Sequence, residues 1–379
     1  MTTRRASRIA ELAADWRTAL PHRSILTTPE WLATDEEGRR DEGRYVLAGD
    51  AGLVAQRVAA GTFPTNDPIA LLLSGDVDEA TDPAAYAEIT AMRARLAGRL
   101  TAAGYPVATA TLPSGYLPGV VGDPAAFPAM LDELAAAARD WDCPVTAVPH
   151  VPDGDLLTGL LTDRGYLGFA ALAQAELALD PAWRDFDAYL AALPKRRRNT
   201  VRRERREFAG AGMVVREDRL GERKAEMARL HTEQLRRHGH EIPDEVMHGL
   251  LDRIERHLAP WCRVLVAERD GALEAFALCY AHSGELHVKM AGLSADAQRH
   301  FGYFAVCYYE VIAYALRARL RTVVFGPLTY QAKVARGCGL APRSTYVRVP
   351  AGLTGEVTEL AALLDRHHRA TFARLGGVT

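Results

Sequence analysis

The sequence predicts a mixed α/β (α+β) fold that occurs twice, with a twisted mixed sheet and flanking helices in each half. Strand and helix patterns alternate along 379 residues, which is enough chain for two domains. The order hairpin, third strand, helix, strand begins near Arg44 and begins again near Arg263. We therefore expect an N-terminal domain of residues 1–180 and a C-terminal domain of residues 181–379.

A hairpin signal opens each of these series. In the first half, two apolar runs flank Gly49-Asp50-Ala51-Gly52 within residues 44–59. In the second half, two similar runs flank Asp270-Gly271 within residues 262–281. The further elements that we expect are strands at 64–73, 105–112, 145–148, 171–179, 213–217, 285–292 and 322–325, and helices at 83–103, 125–141, 155–163, 185–193, 195–209, 220–237, 244–257 and 299–317.

The predicted helix at 195–209 concentrates positive charge. Eight of residues 195–206 are Lys or Arg and one, Glu204, is acidic, so this segment carries +7 in a chain whose net charge is −2. Only Val201 and Phe208 form an apolar stripe on the helical wheel, and Gly210 with Gly212 ends the helix. A solvated charged helix is one interpretation. We favour a face that binds phosphates, either of a nucleic acid or of a nucleotide diphosphate.

Composition excludes several other classes of protein. Five cysteines are scattered without a C-x-x-C pair, which argues against zinc and against a disulfide framework and favours a reducing cytoplasm. No apolar run approaches the roughly 20 residues of a membrane span, and no signal-peptide pattern begins the chain. The polar loop His238-Gly239-His240-Glu241 has metal-like residues but no further ligand at suitable spacing, so we expect no metal there.

Two motifs in the second half resemble those of a known family. The basic helix followed by a glycine and a short valine strand, and a tyrosine followed by a lysine and Arg-Gly, resemble the Fem transferases, which have two GNAT-type N-acyltransferase domains in tandem. The matching positions are Lys195, Arg198, Asn199, Arg202 to Arg206, Gly212, Val214, Val215, Tyr330, Lys333, Arg336 and Gly337. The resemblance implies transfer of an aminoacyl group from aminoacyl-tRNA to an amine, and it implies a degenerate N-terminal domain. Related enzymes use the same scaffold to acylate small amines from either aminoacyl-tRNA or acyl-CoA.

One position departs from the acyl-CoA pattern. That pattern places Arg or Gln, two residues, Gly, one residue, and then Gly or Ala at the start of the helix after the fourth strand. Arg299 and Gly302 fit, but Phe304 stands where a small residue is expected, and its ring should crowd a diphosphate. Together with the basic helix, the resemblance assigns donor or phosphate binding to Lys195, Arg198, Arg202, Arg203, Arg205, Arg206, Arg299, Gly302, Lys333 and Arg336.

Amide formation requires a base for the amine and a proton for the leaving oxygen. On the predicted strand 285–292, period two places Glu285, His287 and Lys289 on one face. We expect Glu285 or His287 to be the base, although a solvent-facing edge strand would show the same pattern. Tyr330 is the candidate proton donor, unless it is simply a buried tyrosine. Lys333 and Arg336 lie three residues apart and would face a phosphate or the leaving ribose oxygen, and His238, His240 and Lys289 would contact the acceptor.

These observations lead to a cytoplasmic N-acyltransferase that moves an aminoacyl group from the acceptor arm of a charged tRNA to an amine of a small molecule or cell-wall precursor. The expected co-substrate is aminoacyl-tRNA, with no cofactor and no metal. Two alternatives stay open: an acyl-CoA-dependent N-acyltransferase and a non-catalytic RNA-binding module. The amino acid, the acceptor and the oligomeric state stay undetermined at this point.

Overall fold

The computed structural model describes residues 3–20, 24–39, 41–62, 64–237 and 239–376. The strands are β1 Thr3–Ala6, β2 Gly43–Ala48, β3 Ala51–Val58, β4 Val107–Ala110, β5 Val120–Gly122, β6 Val145–Pro152, β7 Leu167–Ala178, β8 Val214–Asp218, β9 Cys262–Arg269, β10 Ala272–His282, β11 Glu285–Leu293, β12 Thr322–Gly326 and β13 Gly339–Arg348. The helices are α1 Ala13–Ala19, α2 Pro29–Glu36, α3 Pro68–Ser74, α4 Pro83–Gly104, α5 Phe127–Asp140, α6 Leu157–Asp163, α7 Phe186–Ala192, α8 Lys195–Gly210, α9 Lys224–Arg237, α10 Asp244–Leu258, α11 Ala295–Arg299, α12 Gly302–Phe304, α13 Val311–Arg317, α14 Tyr330–Val334 and α15 Thr354–Gly376.

The chain forms two compact units. Unit 1 comprises Met1–Gln174 together with Leu340–Thr379, and unit 2 comprises Ala175–Gly339. The expected break near residue 180 lies close to the observed one, but the expected C-terminal domain of residues 181–379 differs from unit 2, because residues 340–379 belong to unit 1. The prediction assigned the last 40 residues to the domain that precedes them in the sequence. Strand pairing and apolar contacts with residues far away in the sequence place them in unit 1 instead.

Two elements bind this C-terminal segment to unit 1. Strand β13 pairs antiparallel with β6, with Tyr346 opposite Val148. Helix α15 contributes Leu360 and Leu364 to the same buried cluster as Leu96 of α4. Apolar surface on one side of α15 therefore completes the core of unit 1.

Unit 1 has its sheet in the order β1-β2-β3-β4-β6-β13, and β5 pairs with β3. The predicted hairpin is β2 and β3, joined through Gly49, whose φ is 57°. Strands β4 and β6 are parallel, with Val107 opposite Val145. Buried side chains cover both faces of this sheet, since neighbouring Ala147 and Val148 of β6 belong to two separate clusters.

The strand expected at residues 64–73 is wrong, because this stretch forms helix α3. Asp67 caps the helix by accepting hydrogen bonds from the backbone N–H groups of Ile69 and Ala70, and Pro68 occupies the first turn. The Asp-Pro start signal therefore outweighs the apolar run that follows it. The third strand of unit 1 is β4, and α3 with α4 form an insertion before it.

Unit 2 repeats the same order of elements without that insertion. A first strand (β8) leads to two helices (α9, α10), a hairpin (β9, β10), a third strand (β11), a helical segment (α11 to α13) and a parallel strand (β12). The sheet order is β12-β11-β10-β9-β8, and the end of β7 pairs with β12. The prediction of a duplicated mixed α/β fold is confirmed.

Within the described ranges, none of the helices combines the length and the apolar character that crossing a bilayer would require.

Candidate functional site

Helix α8 presents its charge on one side. Pro194 precedes its first residue, and the chain leaves the helix at Gly210, with Gly212 at φ 77°. Six cationic side chains of this helix are exposed: Lys195, Arg196, Arg202, Arg203, Arg205 and Arg206. We call this set the basic face. It is a cationic surface about three helical turns long.

Few acidic groups offset the basic face. Arg203 lies 3.7 Å from Glu207, and Arg205 lies 3.7 Å from Glu310. Among the described residues, Lys195, Arg196, Arg202 and Arg206 have no ion-pair partner. The protein's own carboxylates therefore leave most of this charge available to a ligand.

The opposite side of α8 packs into unit 2. Val201, Glu204 and Phe208 are buried, so the apolar stripe predicted from Val201 and Phe208 includes a carboxylate. Arg197 and Arg198 are half-buried and turn back to backbone groups. Arg197 Nη1 donates to the carbonyl oxygen of Val334, and Arg198 Nη1 donates to that of Ala191, at 2.9 and 2.8 Å. The expected phosphate role of Arg198 therefore competes with this backbone contact.

Glu204 meets Arg336 and Tyr309 inside unit 2. Arg336 Nη2 donates to Glu204 Oε2 and to the Tyr309 hydroxyl oxygen, both at 2.9 Å, and the Tyr309 hydroxyl donates to Glu204 Oε2. Glu204 and Arg336 are each 5% exposed. We call these three residues the buried triad. We expected Arg336 to face a phosphate, but the structure buries its guanidinium and pairs it with a carboxylate of the protein.

Phe304 lies against the same guanidinium. The Arg336 Cζ atom is 3.7 Å from the centroid of the Phe304 ring, a stacked cation–π contact. The unusual Phe304 thus has a structural partner, and its ring is held in place by the buried triad.

Lys333 lies one turn before Arg336 and is 4% exposed. Its ammonium donates to the carbonyl oxygens of Gly326 and Pro327, at 2.9 and 2.6 Å, at the end of β12. Burial lowers the pKa of Lys333 to about 8. The next residues, Leu328 and Thr329, have φ of 65° and 46°, a left-handed conformation that is costly for non-glycine residues. Lys333 therefore organises a strained loop that leads into Tyr330, which is partly exposed.

Strand β11 brings Glu285 and His287 together. His287 Nε2 is 2.8 Å from Glu285 Oε2, and His287 is 3% exposed. A carboxylate only accepts hydrogen bonds, so Nε2 carries the proton and Nδ1 keeps the lone pair. His287 Nδ1 has no hydrogen-bond partner among the described residues. Burial lowers the pKa of His287, against the opposing effect of Glu285, so the imidazole is neutral at neutral pH.

The predicted alternation on β11 breaks at Lys289. The register shifts there, since Met290 is opposite Leu278 and Val288 is opposite Cys279, which makes Lys289 the extra residue of a β-bulge. Lys289 is half-buried, and burial lowers its pKa to about 8. The face shared by Glu285 and His287 therefore does not extend regularly to Lys289.

The parallel pairing of β11 with β12 ends at His287, which is opposite Val324. Two residues further along β12, the Gly326 carbonyl is bound by Lys333. The candidate base and the buried lysine thus flank the same end of β12, where the two parallel strands stop pairing.

The helical segment after β11 is interrupted, unlike the single helix expected at 299–317. Phe301 has φ 60°, and a π-helical turn covers Ala305–Glu310. Gly302 is required by packing, because a Cβ atom there would lie 2.7 Å from the carbonyl oxygen of Ala297. Arg299 is exposed and donates to Asp296. The phosphate role expected for Arg299 and Gly302 stays a prediction.

The structure gives less information about His238 and His240, the two histidines that were expected to contact the acceptor. His238 lies outside the described residues. His240 is partly exposed, and its backbone N–H donates to the Leu235 carbonyl oxygen at 3.0 Å, just beyond α9. An acceptor-side role for His240 stays a prediction.

Sequence reasoning missed Glu204 and Tyr309. A signal for Glu204 was present, because Val201, Glu204 and Phe208 have helical spacing and lie on one stripe. Its acidic character in a basic run made it look like a solvated residue. Tyr309 gave no such signal, since the π-helical turn changes the periodicity by which its side would be inferred.

Comparison with known proteins identifies the family of this chain, in which the same order of strands and helices occurs twice. The sequence model of the FemAB-like family, described as peptidoglycan biosynthesis/recognition, matches residues 174–363, which is half of the chain. The protein therefore belongs to the FemAB-like family. No protein of curated function matches the sequence.

Solved structures agree on the fold. FemX has a TM-score of 0.59 and 11% identity, with 95% of this chain and 100% of that chain covered. The C-terminal domain of a putative lysylphosphatidylglycerol synthetase from Agrobacterium fabrum has a TM-score of 0.53 and 14% identity, with 94% and 95% covered. A conserved protein of unknown function from Bacteroides thetaiotaomicron has a TM-score of 0.55 and 11% identity, with 92% and 100% covered.

Proposed function

We propose that this protein is a cytoplasmic aminoacyltransferase that moves an aminoacyl group from a charged tRNA to an amine, forming an amide. The acceptor is a small molecule or a cell-wall precursor, in keeping with the description of the family. The observation that supports the donor is the basic face of α8, which lies in the unit covered by the family match.

The basic face suits a chain of phosphates. Its side chains extend from Lys195 to Arg206, and most of them lack an acidic partner among the described residues. Charge that is both concentrated and exposed costs self-repulsion unless an anion neutralises it. The acceptor arm of tRNA offers phosphates at regular spacing along such a surface.

For the chemistry we propose that the amine attacks the ester carbonyl that joins the amino acid to the terminal ribose. The new C–N bond forms, the C–O bond to the ribose breaks, and the amine proton passes to His287 Nδ1, directly or through water. Glu285 holds His287 in the tautomer that leaves Nδ1 free. The ribose oxygen takes a proton from Tyr330.

Lys333 is the proposed electrostatic group. Two of its ammonium protons are used by the carbonyl oxygens of Gly326 and Pro327, and the third is available for the leaving ribose oxygen. Its burial fits a single leaving oxygen better than a phosphate in solvent. Direct transfer also agrees with Cys338, whose thiol stays protonated because burial raises its pKa to about 12.

The alternative donor, acyl-CoA, is less well supported. Phe304 stands where a small residue would let a diphosphate approach, and Arg336 stacks on its ring while being bound by Glu204. The contact with Arg336 therefore hinders rotation of the Phe304 ring away from the position that a diphosphate would occupy.

A donor assay tests the proposal. Purified protein is incubated with a panel of amines and either charged tRNA or acyl-CoA, with and without ribonuclease, and products are read by mass spectrometry. We expect amide only with charged tRNA, and none after ribonuclease. Equal product from acyl-CoA after ribonuclease would reverse the donor assignment, and RNA binding without product from any donor would favour a non-catalytic RNA-binding module.

A further inference from the structure

The buried triad joins two elements that the proposed function uses separately. Glu204 belongs to α8, whose exposed side is the basic face, and Arg336 follows α14, which carries Lys333. The neighbours of Glu204 in sequence, Arg203 and Arg205, are exposed. A shift of α8 on binding an anion would therefore act on Arg336 through Glu204.

Helix α14 depends on such contacts for its position. It has five residues, too few for a stable helix without tertiary contacts. Arg197 of α8 donates to the Val334 carbonyl oxygen, and the Tyr189 hydroxyl of α7 donates to the Arg336 carbonyl oxygen, each at 2.9 Å. Together with the pair between Glu204 and Arg336, these bonds fix the end of α14 against α7 and α8.

A stability role alone explains the triad poorly. Removing two charges from water is expensive, and apolar residues of similar volume often serve as well or better in a core. A charged pair with a planar guanidinium instead fixes direction as well as distance. Arg336 has both restraints, since Glu204 and Tyr309 bind one edge and the Phe304 ring lies against its plane.

We propose that Glu204, Arg336 and Tyr309 form a positioning device that sets the location of Lys333 relative to the basic face of α8. A donor gripped by α8 then presents its reactive ester at Lys333. The inference rests on the proposed function, because it concerns how the donor-binding helix is linked to the transfer site. The three residues are positioning residues and do not themselves contact the reacting atoms.

The test compares Glu204→Gln with a matched change on another helix. Glu233→Gln on α9 also replaces a carboxylate by an amide and removes an ion pair, with Arg229, but this pair is on the surface. For Glu204→Gln we expect the single-turnover rate to fall about 10- to 100-fold while the donor dissociation constant changes less than about threefold, since small displacements cost rate more than binding. For Glu233→Gln we expect both quantities to stay at the wild-type values.

A second variant keeps the test decisive if Glu204→Gln does not fold. Glu204→Gln with Arg336→Met removes both charges, so no unpaired charge is left buried. We expect this double variant to melt near the wild-type temperature, to bind the donor normally and to transfer slowly. A folded double variant with the wild-type single-turnover rate would overturn the positioning role, and so would a loss in donor affinity as large as the loss in rate.

Failure of the proposed function is recognisable separately. If the wild-type protein transfers from acyl-CoA and not from charged tRNA, the donor assignment is wrong. The same variants are then measured with acyl-CoA. A wild-type rate in the folded Glu204→Gln protein would still count against the triad, and a selective loss of rate would still support it.

Discussion

Units 1 and 2 share a topology but differ in the chemistry of their parallel strands. In unit 1 the pairs between β4 and β6 are Val107 with Val145, Ala108 with Thr146, and Thr109 with Ala147. In unit 2 the corresponding pairs between β11 and β12 are Glu285 with Thr322, Leu286 with Val323, and His287 with Val324. The parallel strand pair therefore carries titratable side chains in unit 2 and small or apolar side chains in unit 1.

The comparison supports the proposal that unit 2 carries out the reaction. A duplicated fold supplies two parallel strand pairs, and each of them ends after three paired residues. In unit 2 this pair carries Glu285 and His287, and the buried Lys333 binds the Gly326 carbonyl beyond its last paired residue, in the part of the chain covered by the family match. A fold by itself does not assign a function, so this difference in side chains supports placing the reaction in unit 2.

The largest effect should come from His287. It is the last paired residue of the third strand in unit 2, as Thr109 is in unit 1. We expect His287→Ala to slow single-turnover transfer by about 10²- to 10⁴-fold, the usual contribution of a general base. The matched change Thr109→Val should alter the rate less than about threefold. Equal losses of rate from the two variants would contradict the assignment of the reaction to unit 2, because unit 1 would then contribute to transfer as well.

The role of His287 as the base also predicts how the rate of transfer depends on pH in the acidic range. Burial lowers the pKa of His287 below its usual value, so the base is neutral and active above that lowered pKa. Transfer should therefore fall as the pH drops through it. Glu285→Gln should keep the strand intact but lose the tautomer control, with a smaller loss in rate than His287→Ala.

Lys333→Met should have the next largest effect, about 10²- to 10³-fold in rate, the range seen when a transition-state hydrogen-bond donor is removed. Burial lowers the pKa of Lys333 to about 8, so the ammonium is present below that pH and lost above it. The wild-type rate should then decline as pH rises through about 8.

Lys289 provides the control for this alkaline decline. Its pKa is also lowered by burial to about 8, but it occupies the bulge of β11. Lys289→Met should keep the decline near pH 8, whereas Lys333→Met should remove it. If Lys289→Met removes the decline and Lys333→Met does not, the electrostatic role belongs to Lys289.

The sequence predicts features that depend on neighbouring residues better than features that depend on contacts between distant residues. The two hairpins and the basic helix were predictable because turn residues, alternation and charge are local signals. The return of residues 340–379 to unit 1 was not, since β13 pairs with β6 almost 200 residues earlier in the chain. Local pattern also misled at residues 64–73, where the helix cap at Asp67 decided the structure.

In the candidate site, too, contacts between near neighbours in the sequence were predictable and contacts between distant residues were not. Glu285 and His287 were predictable as neighbours because period two places them together. The pairing of Glu204 with Arg336 spans 132 residues, and no local pattern records it. The Lys289 bulge depends on the partner strand, so alternation alone could not reveal it.

A moderate effect is expected for the basic face, which has no counterpart among the features compared in unit 1. Replacing Arg202, Arg203, Arg205 and Arg206 by Ala should flatten the salt dependence of donor binding, with the log–log slope reduced by roughly 3 for ~4 lost phosphate contacts. Arg202 and Arg206 alone should account for at least half of this, because Arg203 and Arg205 already lie near Glu207 and Glu310. Binding measured at several salt concentrations checks the slope, and an unchanged slope would remove α8 from the donor site.

The smallest effect should come from a surface ion pair in unit 1, where Arg99 of α4 meets Glu356 of α15. Their side chains are 55% and 43% exposed, so water screens the pair and Glu356→Gln should cost no more than about 1 kcal/mol of unfolding free energy. Leu364→Ala on the same helix should cost about 2–5 kcal/mol, because Leu364 is fully buried in the core of unit 1. Urea unfolding of both variants separates the two contributions. A loss from Glu356→Gln as large as that from Leu364→Ala would mean that charge, rather than apolar packing, holds residues 340–379 in unit 1.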